Sequence, residues 1–135
     1  MIQPQTLRVL CADDDVLVLD MLAKTLKSAG HHVEVATDGR AAVTRVAKDP
    51  AYFQLIVTDT CMPRLDGFGV VQEARSAGYR GKIIIFASAL SLEDRRRYTE
   101  LRVDRVIDKP GQVGELVGAV SELRASLGGP ERVAR

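Results

Sequence analysis

Short apolar runs alternate along this chain with longer segments in which apolar residues recur every third or fourth place. Leu7 to Ala12 is apolar apart from Arg8, as a strand buried on both faces of a parallel sheet should be, and it ends in Asp13-Asp14-Asp15. Val16, Leu19, Leu22, Ala23 and Leu26 then follow at helical spacing up to the stop signal Ser28-Ala29-Gly30. Val33 to Ala36 reads as a second strand. Thr37-Asp38-Gly39 offers capping oxygens to a second helix striped by Ala41, Ala42, Val43, Val46 and Ala47, which ends near Asp49-Pro50. A third strand, Leu55 to Val57, delivers Asp59 to its C-terminal end before the chain breaks at Met62-Pro63. After Asp66-Gly67 a third helix carries Phe68, Val71 and Ala74 and closes at Ala77-Gly78.

Lys82 to Ala87, with three consecutive isoleucines, predicts a fourth strand, and Ser91-Leu92-Glu93-Asp94 has the form of a capping box opening a fourth helix. Arg102 to Asp108 predicts a weak fifth strand centred on Val106 and Ile107 and broken by Lys109-Pro110. A last helix bears Val113, Leu116, Val117, Val120 and Leu123, and Gly128-Gly129-Pro130 stops it. The sum is an α/β domain of (βα)5 type: a doubly wound parallel sheet with right-handed crossovers on both faces. For five strands the common order is 2-1-3-4-5, which sets strands one and three side by side. One domain over residues 1–127 and a flexible tail over 128–135 are expected.

Composition narrows the functional classes. The 135 residues are 46% hydrophobic, enough for one core, and 19 basic against 18 acidic residues leave a net charge of +1. That balance offers no broad electrostatic footprint for nucleic acid or an anionic membrane. No apolar run approaches the roughly 18 residues of a membrane span, and Met1 to Thr6 lacks a signal-peptide core, so a cytoplasmic protein is expected. Cys11 and Cys61 make neither a disulfide framework nor a metal-ligand spacing and are read as reduced thiols.

The strand order turns separated residues into one site. Asp13 and Asp14 leave strand one, Asp59 strand three, Ser88 strand four and Lys109 strand five, all at the edge where open α/β sheets bind ligands. Three gathered carboxylates would repel and tend to protonate. A divalent cation removes that problem, and Mg²⁺ suits two carboxylates, a carbonyl and a phosphoryl oxygen, since it takes oxygen ligands in octahedral geometry. The hydroxyl and ammonium would then contact the other phosphoryl oxygens.

At these residues the chain resembles the receiver domain of two-component response regulators, a bacterial signalling module of flavodoxin-like fold, across almost its whole length. The resemblance rests on Asp13-Asp14, on Asp59 with Met62-Pro63 and Asp66-Gly67, on Ser88-Ala89 and on Lys109-Pro110, in that order on a (βα)5 pattern. It implies that Asp59 accepts a phosphoryl group from the phosphohistidine of a sensor histidine kinase or phosphotransfer protein. It also implies that Asp14 ligates Mg²⁺ directly, Asp13 through water and Cys61 through its backbone carbonyl, while Ser88 and Lys109 contact phosphoryl oxygens. The chain would signal through altered protein contacts, as a monomer or weak dimer, without being an enzyme acting on a separate substrate. It would either act alone or be a piece of a hybrid kinase or larger regulator.

Three departures from the family pattern stand out. Val106 occupies the place of the usual Tyr or Phe three residues before the lysine, Leu101-Arg102-Val103 lacks the usual Ala-Gly, and Gly111 replaces a common Phe. Helix four is therefore expected to end differently from its relatives. Other residues carry plainer expectations. His31 and His32 are read as solvated loop residues, the Cys61 side chain as a small apolar filler, and Arg95, Arg96, Arg97 and Arg102 as a solvated helix face that could alternatively meet a partner. Two other classes fit less well. A small aspartate-nucleophile phosphatase would need an acid two residues after Asp59, where Cys61 stands, and a flavodoxin-like binding module would need a phosphate-cradling loop after strand one, where the three aspartates stand.

Overall fold

The computed structural model describes residues 6–109 and 113–127. Its elements alternate without exception: β1 (Arg8–Ala12), α1 (Val16–Ser28), β2 (His32–Ala36), α2 (Gly39–Lys48), β3 (Leu55–Thr58), α3 (Gly67–Ser76), β4 (Lys82–Ala87), α4 (Leu92–Glu100), β5 (Arg105–Asp108) and α5 (Val113–Leu127). The five strands are parallel in the order β2-β1-β3-β4-β5, as the alternation predicts. Register aligns the strand ends: Ala12 stands opposite Thr58, Thr58 opposite Ile85, and Ala87 opposite Asp108. The residues that follow each strand therefore emerge along one edge. The expected tail at 128–135, its Gly128-Gly129-Pro130 stop and the Gly111 departure lie outside the described residues.

Successive strand side chains point to opposite faces, and the core divides accordingly. Val9, Cys11, Leu55, Val57, Ile84 and Phe86 pack with Leu19, Leu22 and Leu26 of α1 and Leu116, Ala119 and Val120 of α5. Leu10, Ala12, Ile56, Ile83, Ile85 and Ala87 face the other way, toward Ala42 and Val46 of α2, Val71 and Ala74 of α3, and Tyr98 of α4. The runs lack polar alternation because both faces are covered.

Side-chain oxygens start four helices, at Asp38 and Ser91 where the sequence offers a cap and also at Asp15 and Asp66. Asp15 accepts from Leu17 N and Val18 N, Asp38 from Ala41 N, Asp66 from Gly69 N and Ser91 from Asp94 N. In the Ser91 motif the Asp94 carboxylate also stands 3.9 Å from Arg97, an i,i+3 pair.

Three helices end in the same hydrogen-bonded motif. After α1, Gly30 at φ 96° donates to Lys27 O and His31 N donates to Leu26 O; after α3, Gly78 at φ 102° donates to Arg75 O and Tyr79 N to Ala74 O. The expectation for α4 is corrected here. It ends in the same way, with Arg102 N donating to Thr99 O and Val103 N to Tyr98 O, while Arg102 itself takes the left-handed conformation at φ 64°. A non-glycine residue there costs about 1 kcal/mol or more. The fifth strand is correspondingly shorter than 102–108 and begins at Arg105, because Arg102 and Val103 close the helix.

The histidine expectation is also overturned. His31 is only 6% exposed, and its Nδ1 accepts a 3.1 Å hydrogen bond from Leu7 N. The cap at Gly30 turns the chain so that the imidazole lies beneath the start of β1, satisfying the backbone N–H of Leu7 just before the strand. Leu7 therefore sits outside the strand that it was expected to begin. His32 is exposed but opens β2 rather than lying in a loop.

Candidate functional site

β1 and β3 are neighbours, so the residues after them meet. Asp13 N donates to Ala36 O on one side and Asp59 N to Ala12 O on the other, which fixes both backbones at the sheet edge. Carboxylate oxygens of Asp13, Asp14 and Asp59 all lie within 4.8 Å of one another, with Asp13 and Asp59 buried and Asp14 exposed. Lys109, whose N–H donates to Ala87 O at the end of β4, extends across the edge. Its Nζ lies 2.7 Å from Asp13 Oδ2 and 3.6 Å from Asp59 Oδ1. Thus the residues numbered 13, 14, 59 and 109 converge as the strand order requires.

The two buried acids are held differently. Asp13 is engaged at both oxygens, Oδ1 by Asp15 N at 2.9 Å and Oδ2 by Lys109. Asp59 has one short donor, Thr60 N at 2.8 Å, and its other oxygen is left to the pocket. Burial pushes the Asp59 carboxyl above its usual range, and the charges of Asp13 and Asp14 push the same way, outweighing Thr60 N and Lys109. For Lys109, burial pulls down, but the hydrogen bond to Asp13 and the charges of Asp59 and Asp13 prevail and hold the ammonium above its usual value. Three carboxylates against one ammonium leave a surplus of negative charge, and oxygens in such a set fit a hard divalent cation.

Ser88 follows the last residue of β4 and is exposed, and Ala89 after it turns the chain at φ 56°. Cys61 stands two residues past Asp59 and is exposed, its thiol 3.9 Å from Thr60 Oγ1, so its side chain is not the apolar filler expected. Cys11 is the buried one, and burial pushes its thiol up to about 12, which keeps it protonated and inert.

The loop behind Asp59 closes on itself. Gly67 N donates to Thr60 O at 2.8 Å, and the Thr58 hydroxyl donates to Asp59 O at 3.0 Å. A side chain on Gly67 would collide with the Tyr98 hydroxyl and come within 2.8 Å of Asp59 O. Tyr98 was missed in the sequence, where the arginines drew attention to helix four. The available signal was a single aromatic in an otherwise charged helix. Arg95 pairs with Asp108 at 2.9 Å and Arg97 lies 3.7 Å over the Phe68 ring, so the cluster is partly engaged rather than a wholly solvated face; Arg96 is exposed. Val106, in the place of the usual aromatic, is half-buried against the same side of the sheet as Tyr98.

A doubly wound parallel sheet whose C-terminal edge gathers three carboxylates and a lysine defines a flavodoxin-like domain with an acid pocket. The match of residues 9–121 to the response regulator receiver domain goes further: this chain belongs to that family of signalling domains. The response regulator MprA of Mycobacterium leprae is 33% identical over 117 residues, 87% of this chain and 50% of that protein. The chain thus spans about half the length of that relative. The Francisella response regulator 1452 receiver domain superposes with a TM-score of 0.81 at 26% identity, covering 90% of this chain and 99% of that one. Thermotoga maritima TrrA, solved in complex with Mg²⁺ and BeF, superposes at 0.76, covering 87% of this chain and 99% of its own; at 24% identity it speaks for the fold.

Proposed function

We propose that this receiver accepts a phosphoryl group onto Asp59 with Mg²⁺ in the pocket. The single observation that carries the reading is the Asp13, Asp14 and Asp59 cluster, answered among the described residues by Lys109 alone. Of the two buried acids, Asp13 is engaged at both oxygens and Asp59 keeps one uncommitted, which supports Asp59 as the nucleophile: an Asp59 oxygen attacks phosphorus, the O–P bond forms, and the bond from phosphorus to the donor's imidazole nitrogen breaks, its electron pair staying on the ring. Asp13, already committed to Lys109 and Asp15 N, is suited to hold a cation through water, leaving Asp14, Asp59 and the backbone carbonyl of Cys61 as direct ligands. When bound, Mg²⁺ neutralises charge on the phosphoryl oxygens. Lys109 supplies a point charge from the other side, and the Ser88 hydroxyl donates to a phosphoryl oxygen. Such transfer is mainly positioning plus electrostatics.

The donor is the phosphohistidine of a sensor histidine kinase or of a phosphotransfer protein, and output passes through altered protein contacts, whether the receiver acts alone or inside a hybrid kinase or larger regulator. We place it in the cytoplasm as a monomer or weak dimer over residues 1–127, with no turnover of a separate substrate. Among the described residues no helix is long and apolar enough to cross a membrane.

Incubation with a small phosphodonor and Mg²⁺, read by intact mass, tests this. One phosphoryl adduct is expected, absent in Asp59→Asn, and Mg²⁺ binding about tenfold weaker in Asp14→Ala because a direct ligand is lost. An adduct at wild-type level in Asp59→Asn would overturn the assignment.

A further inference from the structure

α4 buries a single side chain, Tyr98, which is 0% exposed. Its hydroxyl is the one buried side-chain polar atom without a hydrogen-bond partner among the described residues. Buried phenols normally find a partner, and an orphaned one is costly enough to require an explanation. Its position supplies one. The ring stacks on Phe68, at the start of α3, with centroids 4.1 Å apart and planes 16° from parallel. The hydroxyl points at the loop that carries Asp59: a Cβ at Gly67 would strike it, and from that same point Asp59 O is 2.8 Å away. Glycine at 67 is thus what lets the phenol approach the main chain of the phosphoacceptor. Among the described residues Asp59 O accepts only from the Thr58 hydroxyl, and a carbonyl oxygen can take a second donor. Burial, with Asp66 and Asp94 nearby, pushes the phenol further above its usual value, so it remains a donor at neutral pH.

We propose that Tyr98 is a positioning residue for the acid pocket, its hydroxyl donating to the Asp59 carbonyl only when Asp59 carries a phosphoryl group or its mimic, so that α4 is tied to the state of the pocket. This rests on the phosphoacceptor reading of Asp59. A small shift of the Asp59–Gly67 loop brings donor and acceptor together, and a hydrogen bond made in only one state favours that state by its own free energy. The arrangement puts an aromatic sensor on α4 itself, the helix that carries Arg95, Arg96 and Arg97, in a chain whose β5 offers Val106 instead.

The test uses the full chain with Mg²⁺ and beryllofluoride. Tyr98→Phe keeps the ring and its stack while removing the hydroxyl. Unloaded, that variant should be at least as stable as wild type, since an orphaned polar atom is gone; loaded, it should bind beryllofluoride about fivefold more weakly. The chain has three tyrosines and no tryptophan, so loading can be followed in the tyrosine absorption band. A difference signal present in wild type and in Tyr79→Phe should vanish in Tyr98→Phe. Equal affinity in Tyr98→Phe with the difference signal retained would overturn the proposal and leave the hydroxyl as a packing defect. Failure of wild type itself to bind Mg²⁺ and beryllofluoride would instead remove the phosphoacceptor reading, and this proposal with it.

Discussion

The two ends of the sheet bury polar groups in opposite ways. At the N-terminal edge His31 is enclosed beneath β1 with its Nδ1 accepting from Leu7 N. Burial lowers its pKa, and the positive charge of Arg124 acts in the same direction, so it is held neutral. At the C-terminal edge Asp59 and Asp13 are buried as a like-charged pair whose only cation among the described residues is Lys109. The first edge is a satisfied structural joint, the second an incomplete one that gains from a ligand. Buried polarity marks chemistry only where its demands are unmet.

The contrast predicts substitutions of opposite sign. His31→Ala strands a buried backbone N–H and should lower unfolding free energy by about 2 kcal/mol. Asp59→Asn removes a carboxylate that the folded state raises in pKa and should increase it by ~1 kcal/mol in the absence of Mg²⁺. Urea titrations measure both, and destabilisation by Asp59→Asn would show that burial of this carboxylate is not a cost. The two groups also differ in pH dependence. A His31 pKa lowered in the folded state means that the unfolded chain takes up the proton first, so stability falls as pH drops below about 6.5 toward the folded value. For Asp59 the folded state holds the proton longer, so its contribution rises as pH falls from the raised folded value toward the unfolded 3.8. His31→Ala should therefore flatten the loss between pH 7 and 5; an unchanged slope would show that His31 does not carry it.

The lifetime of the proposed phosphorylated state offers a further test. Hydrolysis needs a water in line with phosphorus, and the family resemblance implies that Cys61 and Leu90, two residues past Asp59 and two past Ser88, flank its path. Cys61 is exposed and Leu90 packs half-buried against the core, so neither orients a water well. Installing Asn by Cys61→Asn and Glu by Leu90→Glu should speed phosphoryl loss about tenfold, equivalent to ~1.4 kcal/mol of barrier. A double variant that loses phosphate no faster, with Mg²⁺ binding intact, removes these positions from control of the lifetime.

The smallest expected effect lies on α4. Replacing Arg95, Arg96 and Arg97 with Ala should leave phosphorylation intact and weaken partner binding a few-fold, with less salt sensitivity in the remaining affinity. Arg95 and Arg97 already hold Asp108 and Phe68, which limits the charge free for a partner. Unchanged partner affinity would leave the cluster with its contacts to Asp108 and Phe68 and no part in partner binding.

What could be read from the chain was whatever depends on local periodicity. Apolar runs at strand length, helical stripes, capping oxygens at Asp38 and Ser91, and glycine stops at Gly30 and Gly78 each act over a few residues, and they determined the (βα)5 alternation, whose common strand order the sheet adopts. Strand order alone then gathered Asp13, Asp14, Asp59 and Lys109, because parallel strands all deliver their next residues to one edge. Tertiary packing decided the rest. Lys109 chooses Asp13, 96 residues away, as its closest partner; His31 is buried by the start of β1; Arg102 accepts a left-handed backbone because Tyr98 and Val103 hold the chain on either side. The phenol of Tyr98, on α4, comes to the Asp59 loop at Gly67, more than thirty positions back along the chain. In each case the outcome depends on which distant groups compete for a buried polar atom or a turn of backbone, and no pattern of neighbours along the chain records that competition.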